Sequence, residues 1–133
     1  MRIFLFSLLG ICSLYAQTSD PLLDINYEAQ QEWVDSTYSS LTLDEKIGQL
    51  FMVMAFSEQG KEHFDAVSKN ITENKIGGVI FSLGGPLGQT DWLNRFQKKS
   101  KIPLLIGMDA EWGVAMRLDS VQAFPWNMTL GAI

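Results

Sequence analysis

Apolar and polar positions alternate between two rhythms along this chain. From Tyr27 to Leu41 the apolar residues Tyr27, Val34, Tyr38 and Leu41 fall near helical spacing, which predicts a surface helix laid on something larger. "TLDE" at 42–45 has the form of a capping box, with the Thr42 hydroxyl poised for an N-terminal amide and Glu45 reaching back. A short helix through Gln49 should follow. Then comes "LFMVMAF" at 50–56, apolar at every position. Continuous rather than alternating apolarity predicts a strand buried on both faces, as in a parallel sheet. "GKEHFDAVSKNITENK" returns to the helical rhythm, with Phe64, Val67 and Ile71 on one stripe, and Gly77-Gly78 is expected to end it. "GVIFS" at 78–82 predicts the second strand and "GGPLGQ" a loop. "TDWLNRFQKK" predicts a helix with Trp92, Leu93 and Phe96 inward, and Pro103 opens a third strand, Leu104 to Met108.

The strand centres Val53, Ile80 and Ile106 lie 27 and 26 residues apart. Strand, helix, strand, helix, strand at a near-constant interval predicts a βαβαβ array with right-handed crossovers. Two architectures accept that array. An open doubly wound sheet calls for a phosphate-binding fingerprint after its first strand. "AFSEQGKEHF" carries none, and "GGPLG" lacks the G-x-G-x-x-G spacing. A closed barrel of eight βα units repeats about every 30 residues over about 250 in all. The interval fits, but 133 residues hold about three units. With the apolar "NMTLGAI" at its end, the chain is expected to be the N-terminal part of a longer fold.

Composition sharpens this picture. With 47% apolar residues a core can form, and a net charge of −5 argues against a nucleic-acid or anionic-membrane surface. The nearest approach to a basic patch, Lys98, Lys99 and Lys101, reads as a solvated helix end. The first sixteen residues, "MRIFLFSLLGICSLYA", stand apart. Arg2, an apolar stretch from Ile3 to Leu14 and a small Ala16 before polar "QTSD" are the layout of a secretory signal peptide. The stretch is shorter than the roughly 20 residues a membrane span needs. Residues 17–26 read as a linker, and 27–133 as the folded part. Cleavage after Ala16 removes Arg2, taking the net charge from −5 to −6, and removes Cys12, the single cysteine. No disulfide, thiol nucleophile or stable membrane insertion is then expected. A bacterial periplasm suits such a chain. A lipid anchor at Cys12 is the lesser reading, because Ile11 stands where a small residue is the rule.

The candidate chemistry sits in "IPLLIGMDAEWGVAMRL", 102–118. A wholly apolar strand ends in Asp109, and Glu111, Trp112 and Arg117 follow. In a parallel α/β fold ligands meet the C-terminal ends of the strands. Ser82 and the Gly84-Gly85 turn fall at the same end. A carboxylate is costly to bury, so Asp109 should meet something polar. A sugar suits it, since one carboxylate accepts two hydroxyl hydrogens. Arg117 can donate to the same ring or orient Asp109, and the Trp112 plane suits the C–H face of a sugar. A strand-end Asp that merely ties down its loop is the plain alternative. Asp109 and Glu111 as a catalytic pair is disfavoured, because two neighbours on one loop cannot easily flank a glycosidic bond from opposite sides. His63, the single histidine, reads as solvated surface, and no ligand cluster implies a metal or cofactor.

"LTLDEKIGQLFMV", "KIGGVIFSLGGP", "IPLLIGMDAEWGVAMRL" and "FPWNMTLGAI" together resemble successive signatures of the family 3 glycoside hydrolases, N-terminal barrel domain, and most of all its bacterial β-N-acetylhexosaminidase branch. The resemblance implies the N-terminal part of a (β/α)8 TIM barrel. It implies that Asp109 and Arg117 bind the sugar in the cleavage subsite, with Glu111 and Trp112 as support, and it implies no cofactor. The nucleophilic Asp and acid/base His would lie beyond Ile133, so these 133 residues alone are expected to be inactive, a sugar-binding remnant at most. The complete protein would release terminal β-linked N-acetylglucosamine by a retaining mechanism; a β-glucosidase is the other specificity within the family. Where the family commonly shows Glu-Gly-Gly after the Asp, this chain has Glu111-Trp112-Gly113.

Overall fold

The computed structural model describes residues 26–133. The expected signal peptide, its Cys12 and all but the last residue of the expected linker lie outside them. The chain divides into two compact units, Met1–Ser36 and Thr37–Ile133. The described part of the first is most of helix α1 (Tyr27–Ser39), whose start is capped by Asn26, with Oδ1 accepting from the Ala29 amide at 3.1 Å. α1 buries none of its residues, so the apolar face expected from Tyr27, Val34 and Tyr38 is exposed.

The second unit opens with α2 (Leu43–Gly48). The predicted capping box is present: Thr42 Oγ1 accepts from the Glu45 amide at 3.2 Å and Glu45 Oε2 accepts from the Thr42 amide at 2.9 Å. Lys101, beyond the next helices, donates to Glu45 Oε1 at 3.3 Å and to the Ser40 carbonyl at 3.2 Å. Three strands follow, β1 (Met52–Ala55), β2 (Gly78–Phe81) and β3 (Leu105–Met108). They pair in parallel in the order β1-β2-β3, with Met52, Gly78 and Leu105 in one register row. Helices α3 (Gly60–Thr72) and α4 (Pro86–Lys99) make the two crossovers. A 3-10 turn (Val114–Met116) and a short α5 (Asn127–Gly131) close the described chain.

The core lies between the sheet and these two crossover helices. Val79, Phe81 and Ala55 meet Phe64, Val67 and Ile71 of α3 and Trp92 and Phe96 of α4. Phe64 and Phe96 stack with centroids 4.9 Å apart, and Trp92 stands edge-on to both. Such offset and edge-to-face pairs add to the area that each ring buries.

Four expectations need correction. The strands are not buried on both faces: Met52, Met54 and Leu105 are exposed, Leu105 at 72%. Crossovers of one hand put both helices on the same side of the sheet, and among the described residues none covers the other side. β1 is shorter than the apolar run, because the Leu50 and Phe51 amides still bond back to Ile47 and Gly48 of α2. α3 ends before Gly77-Gly78, because Lys75 turns the chain at φ 51°. α4 begins inside the expected "GGPLGQ" loop, because Gly85 is extended and Pro86 takes the first helical position, where its fixed φ suits and its missing N–H costs nothing.

Candidate active site

β3 delivers Asp109 as the first residue past the sheet. The chain then turns back, with the Gly113 amide on the Ala110 carbonyl at 2.9 Å. Gly113 has φ 93°, a conformation in which a Cβ is strained. The 3-10 turn brings Arg117 round to Asp109, where its guanidinium makes two bonds. Nε donates to the Asp109 carbonyl at 2.6 Å and Nη2 to the carboxylate Oδ2 at 2.6 Å. One planar cation thereby holds both the backbone and the side chain of residue 109, through two donors whose directions the guanidinium plane fixes. The Asp109 side chain is 60% exposed and that of Arg117 26%. An ion pair this open contributes little to stability, of the order of 0–1 kcal/mol. Its consequence is positional. Arg117 is Asp109's polar partner among the described residues, and most of the Asp109 side chain stays open to solvent.

The loop is tied to its neighbours. Leu118 bridges Gly84 in parallel, and the Asp119 amide donates to the Gly84 carbonyl at 3.0 Å. The Ser57 amide in turn donates to the Leu83 carbonyl at 3.1 Å. The loops after β1, β2 and β3 are thus laced together at the C-terminal ends of the strands. Gly84, at φ 140°, lies so close to Ser57 that a Cβ would meet its hydroxyl. A cleft of about 260 Å³ opens there, lined by Glu58, Leu83, Gly84, Met116, Arg117 and Asp119. A larger hollow of about 740 Å³, between α2 and the end of α3, lies at the opposite end of the strands and away from Asp109.

Asp109 and Arg117 therefore come together. Of the two residues expected as support, Glu111 makes its contact through the backbone, its carbonyl accepting from Asn127 Nδ2 at 2.9 Å. Trp112 stacks on Trp126, centroids 5.1 Å apart and planes 16° from parallel. Sequence reasoning misses Trp126 and Glu58, which reach this end of the sheet from separate stretches of chain, and Asp119, which stands just past the motif that ends at Leu118. Ser82 is buried behind the site, its amide on the Ala55 carbonyl.

His63 is not solvated surface. It is half-buried, its ring lies 5.6 Å from Phe56 and 6.0 Å from Trp92, and Nε2 accepts the Phe56 amide at 3.1 Å. An accepting Nε2 puts the proton of the neutral ring on Nδ1. The signal was there: His63 stands four residues before Val67, on the buried stripe of α3.

Comparison with known proteins agrees with this picture. Residues 42–133 match the Glycosyl hydrolase family 3 N terminal domain. Among solved structures, beta-glucoside phosphorylase BglX bound to 2FGlc is 29% identical, with a TM-score of 0.51, covering 63% of this chain. The chain spans only 17% of that structure's length. A second structure of beta-glucoside phosphorylase BglX is 28% identical, with a TM-score of 0.45, over 63% of this chain and 16% of its own. No curated protein sequence matches significantly. The three parallel βα units are those of the family's barrel domain, and with the match running through most of its length this chain belongs to glycosyl hydrolase family 3.

Proposed function

We propose that Asp109 and Arg117 form part of the sugar site of an exported, retaining glycosidase that releases terminal β-linked N-acetylglucosamine. The observation that carries this reading is the Arg117 clamp, which presents an exposed carboxylate at the C-terminal end of a parallel strand. Asp109 accepts two sugar hydroxyls, at Oδ1 and at the remaining lone pair of Oδ2, and so fixes the ring against the reacting groups. Those groups, a carboxylate nucleophile and a proton donor, belong to sequence beyond Ile133. The nucleophile attacks the anomeric carbon as the donor protonates the leaving oxygen; the same residue then takes a proton from water as the glycosyl-enzyme is released. The N-acetylglucosamine assignment rests on the likeness of the four motifs to the hexosaminidase branch, and export on the layout of the first sixteen residues.

A second reading is supported by the likeness to a beta-glucoside phosphorylase. Here the sugar is glucose, and phosphate can take the place of water at the glycosyl-enzyme. A panel of aryl β-glycosides with and without the 2-acetamido group, assayed on the complete gene product with and without inorganic phosphate, separates the two. The first reading predicts turnover of the N-acetylglucosaminide, free sugar as product and indifference to phosphate. Preferential turnover of the glucoside, with sugar phosphate formed, supports the second. No turnover of either aryl glycoside would defeat both.

A further inference from the structure

The stretch of chain that carries Arg117 is pinned to the corner between β2 and α4. Leu118 bridges Gly84, and the Asp119 amide donates to the Gly84 carbonyl at 3.0 Å. The Asp119 carboxylate packs on Gly85, with Oδ1 3.0 Å from where a Cβ on that glycine would stand. Gly85 has φ −94°, ordinary for any residue, so what its missing side chain provides is room for the carboxylate. Among the described residues no Lys or Arg pairs with Asp119. What its carboxylate faces is the start of α4, whose N-cap Gly85 has no side chain to offer and whose first turn holds no acidic residue. A helix start carries partial positive charge, and a carboxylate brought to it from another segment offsets that charge. Ser120 follows at φ 55°, a strained conformation that a serine keeps where its neighbours fix the path of the chain.

We infer that Asp119 is a positioning residue of the sugar site: lodged against the corner at Gly85, it fixes the turn from which Arg117 reaches Asp109. The inference rests on the sugar-site reading of Asp109 and Arg117 and extends it to what keeps that pair in place. Residues 114–118 form one tight turn, in which the Arg117 and Leu118 amides both donate to the Val114 carbonyl, at 3.0 and 2.9 Å. A shift of Leu118 and Asp119 away from Gly84 is therefore also a shift of Arg117. Its guanidinium has to set Nε on the Asp109 carbonyl and Nη2 on Oδ2 together, so a small displacement of the backbone loses one bond or both. Asp109 then samples rotamers that no longer meet the sugar, and the reacting groups lose their alignment with the ring. Asp119 acts on the sugar through Arg117.

The test is kcat/KM of the complete enzyme on its preferred aryl β-glycoside, with hydrogen exchange of segment 110–118 followed by mass spectrometry. Asp119 is exposed, so replacing it leaves the core intact. D119A should lower kcat/KM about tenfold. It should also speed exchange in 110–118 while the α3 segment keeps its wild-type rate. D119N, which keeps the bulk against Gly85 and loses the charge, should fall between wild type and D119A. In an R117A background D119A should change kcat/KM by less than about twofold, because its effect runs through Arg117. A general loss of stability would instead carry the same loss into both backgrounds. Wild-type turnover in D119A, an undiminished loss in the R117A background, or unchanged exchange in 110–118 would overturn the inference. If D109A leaves turnover unaltered, the sugar-site reading falls; faster exchange of 110–118 in D119A then still shows Asp119 holding the turn, and unchanged exchange removes that as well.

Discussion

At the scale of single residues, two pairs illustrate what local sequence can and cannot announce. Thr42 and Glu45 exchange hydrogen bonds across three residues, and their spacing alone predicted it. Thr42→Ala should cost about 1 kcal/mol in chemical denaturation, because an orphan helix amide loses its acceptor. The Thr42 amide, and after it Lys101, hold the Glu45 carboxyl below its ordinary value of 4.5. A depressed folded value means the contribution is full above that ordinary value and is lost as the pH falls through the lower one. The stability of the wild type should therefore decline more steeply below about pH 4.5 than that of Glu45→Gln, measured as denaturant midpoints across the acid range. Asp109 and Arg117 are eight residues apart, and chemistry marked both. What the sequence left open was whether Arg117 reaches a ligand or Asp109 itself, because that depends on how the intervening 3-10 turn folds. Trp126 and His63 differ in this respect. The stripe of α3 marks His63 as partly inward, but its partner, the Phe56 amide, and the partner ring of Trp126 lie in other segments, which only the folded chain brings together.

At the scale of elements, periodicity identified all three strands and both crossover helices, and tertiary contacts then moved their ends. Helical spacing placed Phe64, Val67 and Ile71 inward, and they are buried. The start of α4 at Pro86 and the end of α3 before Lys75 were set by backbone geometry that a hydrophobic pattern does not encode. A continuous apolar run marks a strand that avoids water, but it cannot say which of its faces a given stretch of chain covers. Close approaches between elements are equally hidden. Gly48 in α2 runs against the turn after α3, so a Cβ there would collide with the Asn74 and Lys75 carbonyls. Gly48→Ala should destabilise the fold by about 1–3 kcal/mol, since backbone must move to admit it. Gly131, with open space around its Cβ position, is the control: Gly131→Ala in a helix should be neutral or stabilising by up to about 1 kcal/mol. Thermal melts of the two variants check the contrast, and equal effects would refute the packing account.

At the scale of the molecule, a three-stranded parallel sheet with helices on one face has, among the described residues, an apolar second face with Met52, Met54 and Leu105 exposed and Ile80 half-buried. In a barrel domain that face looks inward, and layers of side chains from the other strands fill the space. The near-constant strand interval made this architecture legible, while the choice between barrel and open sheet needed the family motifs. The central claim is that Asp109, clamped by Arg117, holds the sugar. It is tested most directly by kcat/KM of the complete enzyme and of its Asp109→Ala variant on the preferred aryl β-glycoside, with melting temperatures alongside. The account predicts a loss of about a hundredfold or more, as charge-assisted hydrogen bonds to the sugar disappear. It also predicts a stability change within about 1 kcal/mol, because the ion pair is exposed. Near-normal turnover by a folded Asp109→Ala enzyme would contradict it.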